Sequence, residues 1–163
     1  TGGLMAMSKL FAFLFALVLL VFGASPSALA APPTPWPESD GEWVPTPAHW
    51  VSIDLSDQTL IAYEGKTTVR MFIVSTGDAA HPTLTGRYDI DAKYDQIDVI
   101  GKDYYFRDVP YYMQYFYGFA LHAATWHNDF GRPVSRGCVN LKLEDAKWLY
   151  NFLAVGDFVY IHK

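Results

Sequence analysis

The sequence predicts a mainly β domain, a sandwich or partly open barrel of short strands with one helix. Val51, Ile53 and Leu55 alternate with polar residues, and this period of two is typical of a half-buried strand. Short apolar runs then recur between turns rich in Gly, Asp and Ser, as they do in all-β domains. Residues 143–153 instead have apolar side chains at helical spacing. Many strands and one helix together indicate this fold class.

The predicted elements follow one another with short turns. Residues 51–55 and 59–63 are predicted to form a hairpin, because residues 56–58 have turn chemistry. Further strands are predicted at 67–75, 87–92, 117–122 and 158–162. Residues 76–86 are expected to form a loop, and residues 94–113 a loop with one or two strands. The helix covers residues 143–153, where Glu144 and Asp145 in the first turn favour the helix dipole.

The first 30 residues have the anatomy of a secretory signal peptide. Lys9 precedes an apolar run from Leu10 to Phe22, and a small-residue triplet that is typical of a cleavage site ends at Ala30. The apolar run is too short to span a bilayer comfortably, which favours cleavage over the alternative of a lasting N-terminal anchor. We therefore expect a cleaved signal peptide over residues 1–30 and a secreted, extracytoplasmic protein without a stable membrane anchor.

Residues 31–48 are rich in proline and poor in aliphatic side chains, which predicts an extended linker. The folded domain is predicted to cover residues 49–163. After the signal peptide the chain has 11 basic and 17 acidic residues, a net charge of −6, and no basic run. Nucleic acid is therefore not an expected partner.

The chain has one cysteine, Cys138. In an oxidising compartment paired cysteines form disulfides, and a lone thiol cannot pair within the chain. A single thiol in an exported protein is a liability, an intermolecular partner or a working nucleophile. The residues around Cys138 decide among these readings.

The segment from His122 to Asn140 contains the groups that a thiol nucleophile needs. His122 ends a predicted buried strand and can take the thiol proton. Arg136 places a positive charge two residues from Cys138, which is expected to lower the thiol pKa. Gly137 allows an unusual turn in which consecutive backbone N–H groups, its own and that of Cys138, point at one oxygen. The alternatives are an inert buried thiol and a core histidine.

This segment resembles the active-site signature of YkuD-type L,D-transpeptidases, a histidine, a spacer of about fifteen residues and then Ser/Thr-His-Gly-Cys-hydrophobic-Asn/Arg. His122 and Cys138 have 15 residues between them. The matching positions are Ser135, Gly137, Cys138, Val139 and Asn140. Upstream, residues 52–63 resemble the family's opening hairpin, residues 74–77 with 82–86 its "STG … PTPTG" loop, and residues 109–113 its cleft-lining segment. The resemblance covers about residues 50–163.

The resemblance implies an L,D-transpeptidase-like β-sandwich with its helix after the cysteine loop, and an exported enzyme that cross-links peptidoglycan. Cys138 would be the nucleophile, His122 the base, and the carbonyl of Ala123 the group that orients it. The partners would be peptidoglycan stem peptides, and the protein is expected to be a monomer. No cofactor is implied. The histidines and Cys138 do not have the spacing of a complete zinc ligand set, so no metal is expected either.

One position departs from the pattern, since Arg136 stands where the family usually has a second histidine. Arginine cannot act as a base, but it can bind a substrate carboxylate through two hydrogen bonds. We expect substrate contacts from six side chains that share this region: Arg136, Ser135, Asn140, Trp126, His127 and Tyr112.

Several functional alternatives remain. Water as the acceptor would make the protein an L,D-carboxypeptidase with the same residues. A sortase-type thiol transpeptidase also uses Cys, His and Arg, but that family carries its cysteine at a TLxTC-like strand end, far from its histidine. A non-catalytic wall-binding module is the third alternative, and an intact His122–Cys138 pair argues against it. The acceptor, the diamino acid and the wall type cannot be read from the residues.

Overall fold

A computed structural model describes residues 48–163 of the chain. The predicted signal peptide and, apart from Ala48, the predicted linker lie outside the described residues. Within residues 48–163, no helix is long and apolar enough to cross a membrane.

The first sheet has five strands in the order β3-β2-β1-β9-β4. Its strands are β1 His49–Asp54, β2 Thr59–Glu64, β3 Thr67–Ile73, β4 Gly86–Asp89 and β9 Phe158–His162. β1 runs parallel to β9, and the other neighbours are antiparallel. Val51 and Ile53 are fully buried while Ser52 between them is only partly buried, so the alternation in β1 directs one face inward.

The second sheet has four strands in the order β5-β6-β7-β8. Its strands are β5 Ala92–Ile100, β6 Tyr105–Phe116, β7 Phe119–Ala123 and β8 Val139–Leu141. β5, β6 and β7 form an antiparallel meander, and β8 returns parallel to β7. The parallel return matters for function, because it brings the segment after Cys138 alongside the strand that contains His122.

The core lies between the two sheets and α1 Leu143–Phe152. Ile53 of the first sheet, Leu121 of the second and Leu149 of α1 belong to one buried cluster. The helix has no basic residue in its last turn, but Lys93 of β5 donates hydrogen bonds to the carbonyls of Tyr150 and Leu153. These bonds satisfy carbonyls that a helix end leaves without partners.

The predicted fold class is confirmed: the described chain is mostly β, with two sheets and one helix among residues 48–163. The prediction of a loop with one or two strands over residues 94–113 is confirmed, because most of β5 and β6 and the connection between them lie there. Two details of the sequence prediction are wrong. Val74 and Ser75 follow β3 instead of ending it, and Ser75 makes an isolated bridge to Asn140. The strand β8 was not predicted, because three residues are too few to show a period.

Candidate active site

Two neighbouring parallel strands bring the site residues together. In the register between β7 and β8, His122 lies opposite Asn140 and Leu121 opposite Val139. Cys138 immediately precedes β8, so its thiol lies at the same edge of the sheet as the His122 ring. Two residues with 15 others between them in the sequence therefore line one cleft.

His122 is buried and held by one hydrogen bond. Its Nδ1 lies 2.9 Å from the carbonyl oxygen of Ala123, and because a carbonyl only accepts, Nδ1 carries the proton. Nε2 then has a free lone pair. Burial lowers the pKa of His122 to about 4, although the bond to Ala123 acts in the opposite direction. The ring also stacks on Tyr112, with 5.6 Å between ring centroids. The imidazole is thus neutral at pH 7 and able to accept a proton.

Cys138 is a half-buried thiol in its protonated form. Its Sγ donates to the carbonyl oxygen of Gly118 at 3.8 Å, and among the described residues no hydrogen bond joins Sγ to His122. Burial raises the pKa of Cys138 to about 11, against a smaller lowering by the backbone N–H of Ala120. The expectation that Arg136 lowers the thiol pKa is wrong. The resting pair is a neutral thiol and a neutral imidazole, not a thiolate–imidazolium pair.

Arg136 is directed at an aromatic ring rather than at the sulfur. Its guanidinium lies over the ring of Tyr104, 5.1 Å from the ring centroid. Arg136 is exposed, and within residues 48–163 no carboxylate lies within ion-pair distance of it. A guanidinium stacked on a ring keeps the N–H groups at its edge available. The cation at this cleft is therefore able to bind an anionic group.

Gly137 is required by the local backbone. Its φ is +109°, and a Cβ added there would lie 2.4 Å from Cε1 of Phe119. The Gly137 N–H donates to Oγ of Ser135 at 3.1 Å, and the Ser135 hydroxyl donates to the Cys138 carbonyl at 2.5 Å. Since Ser135 already accepts from the Gly137 N–H, the Cys138 N–H is the remaining one of the two expected oxyanion donors. Ser135 is 7% exposed, and its hydroxyl stabilises the loop through these two hydrogen bonds.

A second loop supports the cysteine loop, and the sequence did not identify its contribution. The buried hydroxyl of Thr83 donates to the Gly137 carbonyl at 2.8 Å and accepts from the Gly77 N–H at 2.8 Å. Backbone bonds between Ser135 and the segment at Thr76 and Asp78 hold the same two loops together. Thr83 lies in the segment that resembles the family's Pro-Thr-rich loop, so the resemblance was the one signal that could have found it.

Two open clefts meet at Cys138. The first has about 440 Å³ of empty space, and its lining residues are Val99, Tyr104, Phe106, Val109, His122, Trp126, Val134, Ser135, Arg136, Cys138 and Asn140. The second has about 820 Å³, and its lining residues are Ile97, Asp98, Val99, Ile100, Tyr104, Tyr112, Gln114, Tyr117, Gly118, Phe119, Arg136 and Cys138. Tyr104 and Arg136 line both clefts, so the pair lies at their boundary.

The remaining residues predicted to bind substrate fall in different places. Trp126 is 40% exposed in the first cleft and stacks on Phe106, with 4.1 Å between centroids. Tyr112 is 4% exposed and donates its hydroxyl to the Gly118 carbonyl at 2.7 Å; it lines only the second cleft. Asn140 is 3% exposed and lines the first. His127 lines neither of these two clefts and contacts Asn140 from behind.

The sequence reasoning missed three site residues on other elements. Tyr104 and Phe106 belong to the connection and strand after β5, where the sequence mixes aromatic and charged residues without a clear period. Gly118 contributes a carbonyl, and a backbone role leaves no mark on side-chain chemistry.

Comparison with known protein families identifies residues 48–161 as matching the model of the L,D-transpeptidase catalytic domain. This match covers every strand of both sheets except for the last residue of β9. Comparison with curated proteins found no match.

Solved structures of L,D-transpeptidases are similar to the described chain. The one from Mycobacterium tuberculosis H37Rv has 26% identity, a TM-score of 0.68, and coverage of 72% of this chain and 58% of its own. The one from Stackebrandtia nassauensis has 29% identity, a TM-score of 0.66, and coverage of 73% and 57%. The one from Mycobacterium smegmatis has 23% identity, a TM-score of 0.66, and coverage of 71% of this chain and 59% of its own. This chain thus matches less than two thirds of the length of each.

Proposed function

Because the chain belongs to the family of L,D-transpeptidase catalytic domains, we propose that it is a secreted L,D-transpeptidase of peptidoglycan. It cleaves the bond between the diamino acid and the terminal D-alanine of a tetrapeptide stem. It then transfers the acyl group to an amine of a second stem, which forms a cross-link. Cys138 is the nucleophile of this reaction and His122 its acid and base.

In the first half-reaction, the Cys138 thiol rotates away from the Gly118 carbonyl and gives its proton to Nε2 of His122 as sulfur attacks the stem carbonyl. The neutral resting states of both groups support proton transfer during the attack rather than before it. The Cys138 N–H stabilises the oxyanion. Protonated His122 then gives its proton to the leaving D-alanine amine, the C–N bond breaks, and a thioester remains.

In the second half-reaction, His122 takes a proton from the acceptor amine as the nitrogen attacks the thioester carbonyl. The new C–N bond forms, the C–S bond breaks, and the proton returns to the sulfur. The hydrogen bond from Nδ1 of His122 to Ala123 keeps Nε2 on the reacting side in both steps. Because one amide bond replaces another, the exchange needs no cofactor.

The observation that carries this proposal is the meeting of two clefts at one sulfur atom. Cys138 lines both clefts, whereas His122 lines the first. A transfer between two peptides needs space for a donor and an acceptor at the same nucleophile. Hydrolysis would need space for the donor alone, so the arrangement favours transpeptidation over carboxypeptidation.

The unpaired guanidinium of Arg136 supports a role in binding a carboxylate of the stem. It lies at the boundary of the clefts, where the described residues bring no carboxylate of their own to it. Trp126 offers an exposed aromatic face beside His122, 5.8 Å away between ring centroids, which suits the apolar part of a peptide.

The predicted signal peptide and linker give the proposal its location, in the cell wall or periplasm. The stem peptides there are its partners, and no nucleic acid or stable membrane anchor is expected. We expect the protein to act as a monomer. Mass measurement of the exported protein would test the predicted cleavage after Ala30.

Incubation with purified disaccharide-tetrapeptide, followed by mass spectrometry of the products, tests the proposed function. Dimers together with free D-alanine are expected. Tripeptide without dimers would assign an L,D-carboxypeptidase instead, and unchanged substrate would favour a non-catalytic wall-binding module. A Cys138→Ala variant is the control and should leave the substrate unchanged.

A further inference from the structure

The hydrogen bonds of His127 determine which of its nitrogens carries the proton. The backbone N–H of Asp129 donates to Nδ1 of His127 at 3.1 Å. A neutral imidazole has one N–H donor and one acceptor nitrogen. Burial lowers the pKa of His127, against a smaller raising effect of Asp129, so the ring is neutral at pH 7. Because Nδ1 accepts, the proton is on Nε2.

The proton on Nε2 in turn determines the orientation of the Asn140 amide. Nδ2 of Asn140 is placed 2.9 Å from Nε2 of His127, but two donors cannot bond to each other. Rotating the amide by half a turn exchanges Nδ2 and Oδ1 without changing the shape of the side chain. Nε2–H of His127 then donates to Oδ1 of Asn140.

The same rotation replaces the acceptor Oδ1 at the other amide position by the donor Nδ2. That position is buried and has no hydrogen-bond partner in the described chain. After rotation it holds the NH₂ group, a buried donor without an acceptor, which is unfavourable until an acceptor arrives. Asn140 lies opposite His122 in the β7–β8 register and lines the cleft that contains Cys138. A substrate oxygen beside His122 would supply the missing acceptor once binding uncovers this buried position.

We propose that His127 is a positioning residue that fixes the Asn140 amide with its NH₂ group available to an oxygen, carbonyl or carboxylate, of the bound peptide. His127 does so from outside the cleft, since it lines neither cleft itself. The ring packs on Phe130, with 5.2 Å between centroids, which holds it in place. The proposal rests on the proposed function for the identity of the peptide, but the tautomer and the amide orientation do not depend on it.

Nitrogen NMR of the labelled protein tests the tautomer without any activity. His127 is expected to show a protonated Nε2 and an unprotonated Nδ1. His122 is expected to show the opposite tautomer, because its Nδ1 donates to Ala123, and it serves as an internal reference. A protonated Nδ1 at His127 would overturn the proposal whether or not the enzyme turns over.

A pair of variants tests the positioning role with the stem substrate. Glutamine offers both an N–H donor and an oxygen acceptor, whereas phenylalanine keeps the ring packing and offers neither. We expect H127F to raise KM about tenfold, the equivalent of one hydrogen bond, with a smaller change in kcat, and H127Q to restore most of the loss. The rate at which iodoacetamide alkylates Cys138 should not change, since His127 lines neither of the two clefts at the thiol.

Two further variants complete the test. Asn140→Asp keeps an acceptor for His127 but removes the NH₂ donor, so it should raise KM as H127F does. If H127F does not fold, the KM of Asn140→Asp tests the proposal by itself. His49→Phe is the matched control, because His49 is a part-exposed histidine beside Phe152 and Asp157. It should leave KM unchanged. An active wild type together with an unchanged KM in Asn140→Asp would reject the proposal while leaving the proposed function intact.

Discussion

The hydroxyl of Thr83 donates to the carbonyl oxygen of Gly137 at 2.8 Å, across 54 positions of sequence. The Thr83 hydroxyl oxygen in turn accepts from the Gly77 N–H at 2.8 Å. One buried side chain therefore joins the loop after β3 to the turn that presents Cys138. The position of the nucleophile depends on a residue that does not line either of the two clefts.

Replacing Thr83 by valine should weaken both the fold and the reaction. Valine has the same shape but leaves the Gly137 carbonyl and the Gly77 N–H without partners, which costs about 1–3 kcal/mol. Chemical denaturation should show that loss in the free energy of unfolding, and kcat should fall as the cysteine loop loosens. Thr83→Ser keeps the hydroxyl and should lose less in both measurements. Equal behaviour of the two variants would contradict the role given to the hydroxyl.

Gly137→Ala should destabilise the protein strongly. The backbone at Gly137 has φ +109°, and the added methyl group would lie 2.4 Å from Phe119. Strain and overpacking together should cost roughly 3 kcal/mol or more. The matched control is Gly65→Ala, where φ is +55° and nothing lies within 4 Å of the added Cβ, so that only about 1–2 kcal/mol is expected. Thermal unfolding of both variants would compare them, and similar losses would contradict the close packing at Phe119.

His122 should make the fold sensitive to acid. Its pKa is lowered by burial from 6.5 to about 4, so between these values the unfolded chain binds a proton that the folded chain does not. Stability should therefore fall as the pH drops from about 6.5 to 4, by roughly 3 kcal/mol. Denaturation at a series of pH values should show this fall in the wild type and a smaller one in His122→Gln. The same fall in both proteins would assign the acid sensitivity to other groups.

Arg136 should select for a carboxylate on the stem. Arg136→Gln removes the cation, so KM should rise about tenfold or more for a stem with free carboxylates, the loss of a charged hydrogen bond. For the same stem with its carboxylates amidated, the variant and the wild type should differ much less. Arg107→Gln is the control, because Arg107 also lies over a tyrosine ring, 5.6 Å from its centroid, but lines neither cleft. An equal rise for both substrates would rule out carboxylate recognition.

Local patterns in the sequence predicted much of the fold. The alternation in β1 and the helical spacing over residues 143–153 both matched elements of the structure. The strand β8 was missed because it is three residues long and its partner β7 lies earlier in the chain. For residues 94–113 the sequence predicted a loop with one or two strands, which the structure confirms, but not the bounds of β5 and β6, whose register shifts between Ile97 and Val99.

The candidate site, like the fold, was predicted from the sequence only in part. The motif placed His122 and Cys138 in one cleft, because a family pattern carries spatial information that no local rule supplies. The protonation state was predicted wrongly, since Arg136 is near Cys138 in sequence but is directed at Tyr104, and burial dominates the pKa of the thiol. Thr83 and the Gly118 carbonyl act through tertiary contacts, so their contributions became visible only in the folded chain.

Intact-protein mass spectrometry during turnover tests the central claim most directly. With disaccharide-tetrapeptide present, the wild type should gain the mass of the substrate less D-alanine, and peptide mapping should place that adduct on Cys138. His122→Gln should accumulate it more slowly, and Cys138→Ala should not form it. Turnover without an adduct, together with full activity of Cys138→Ala, would contradict the account.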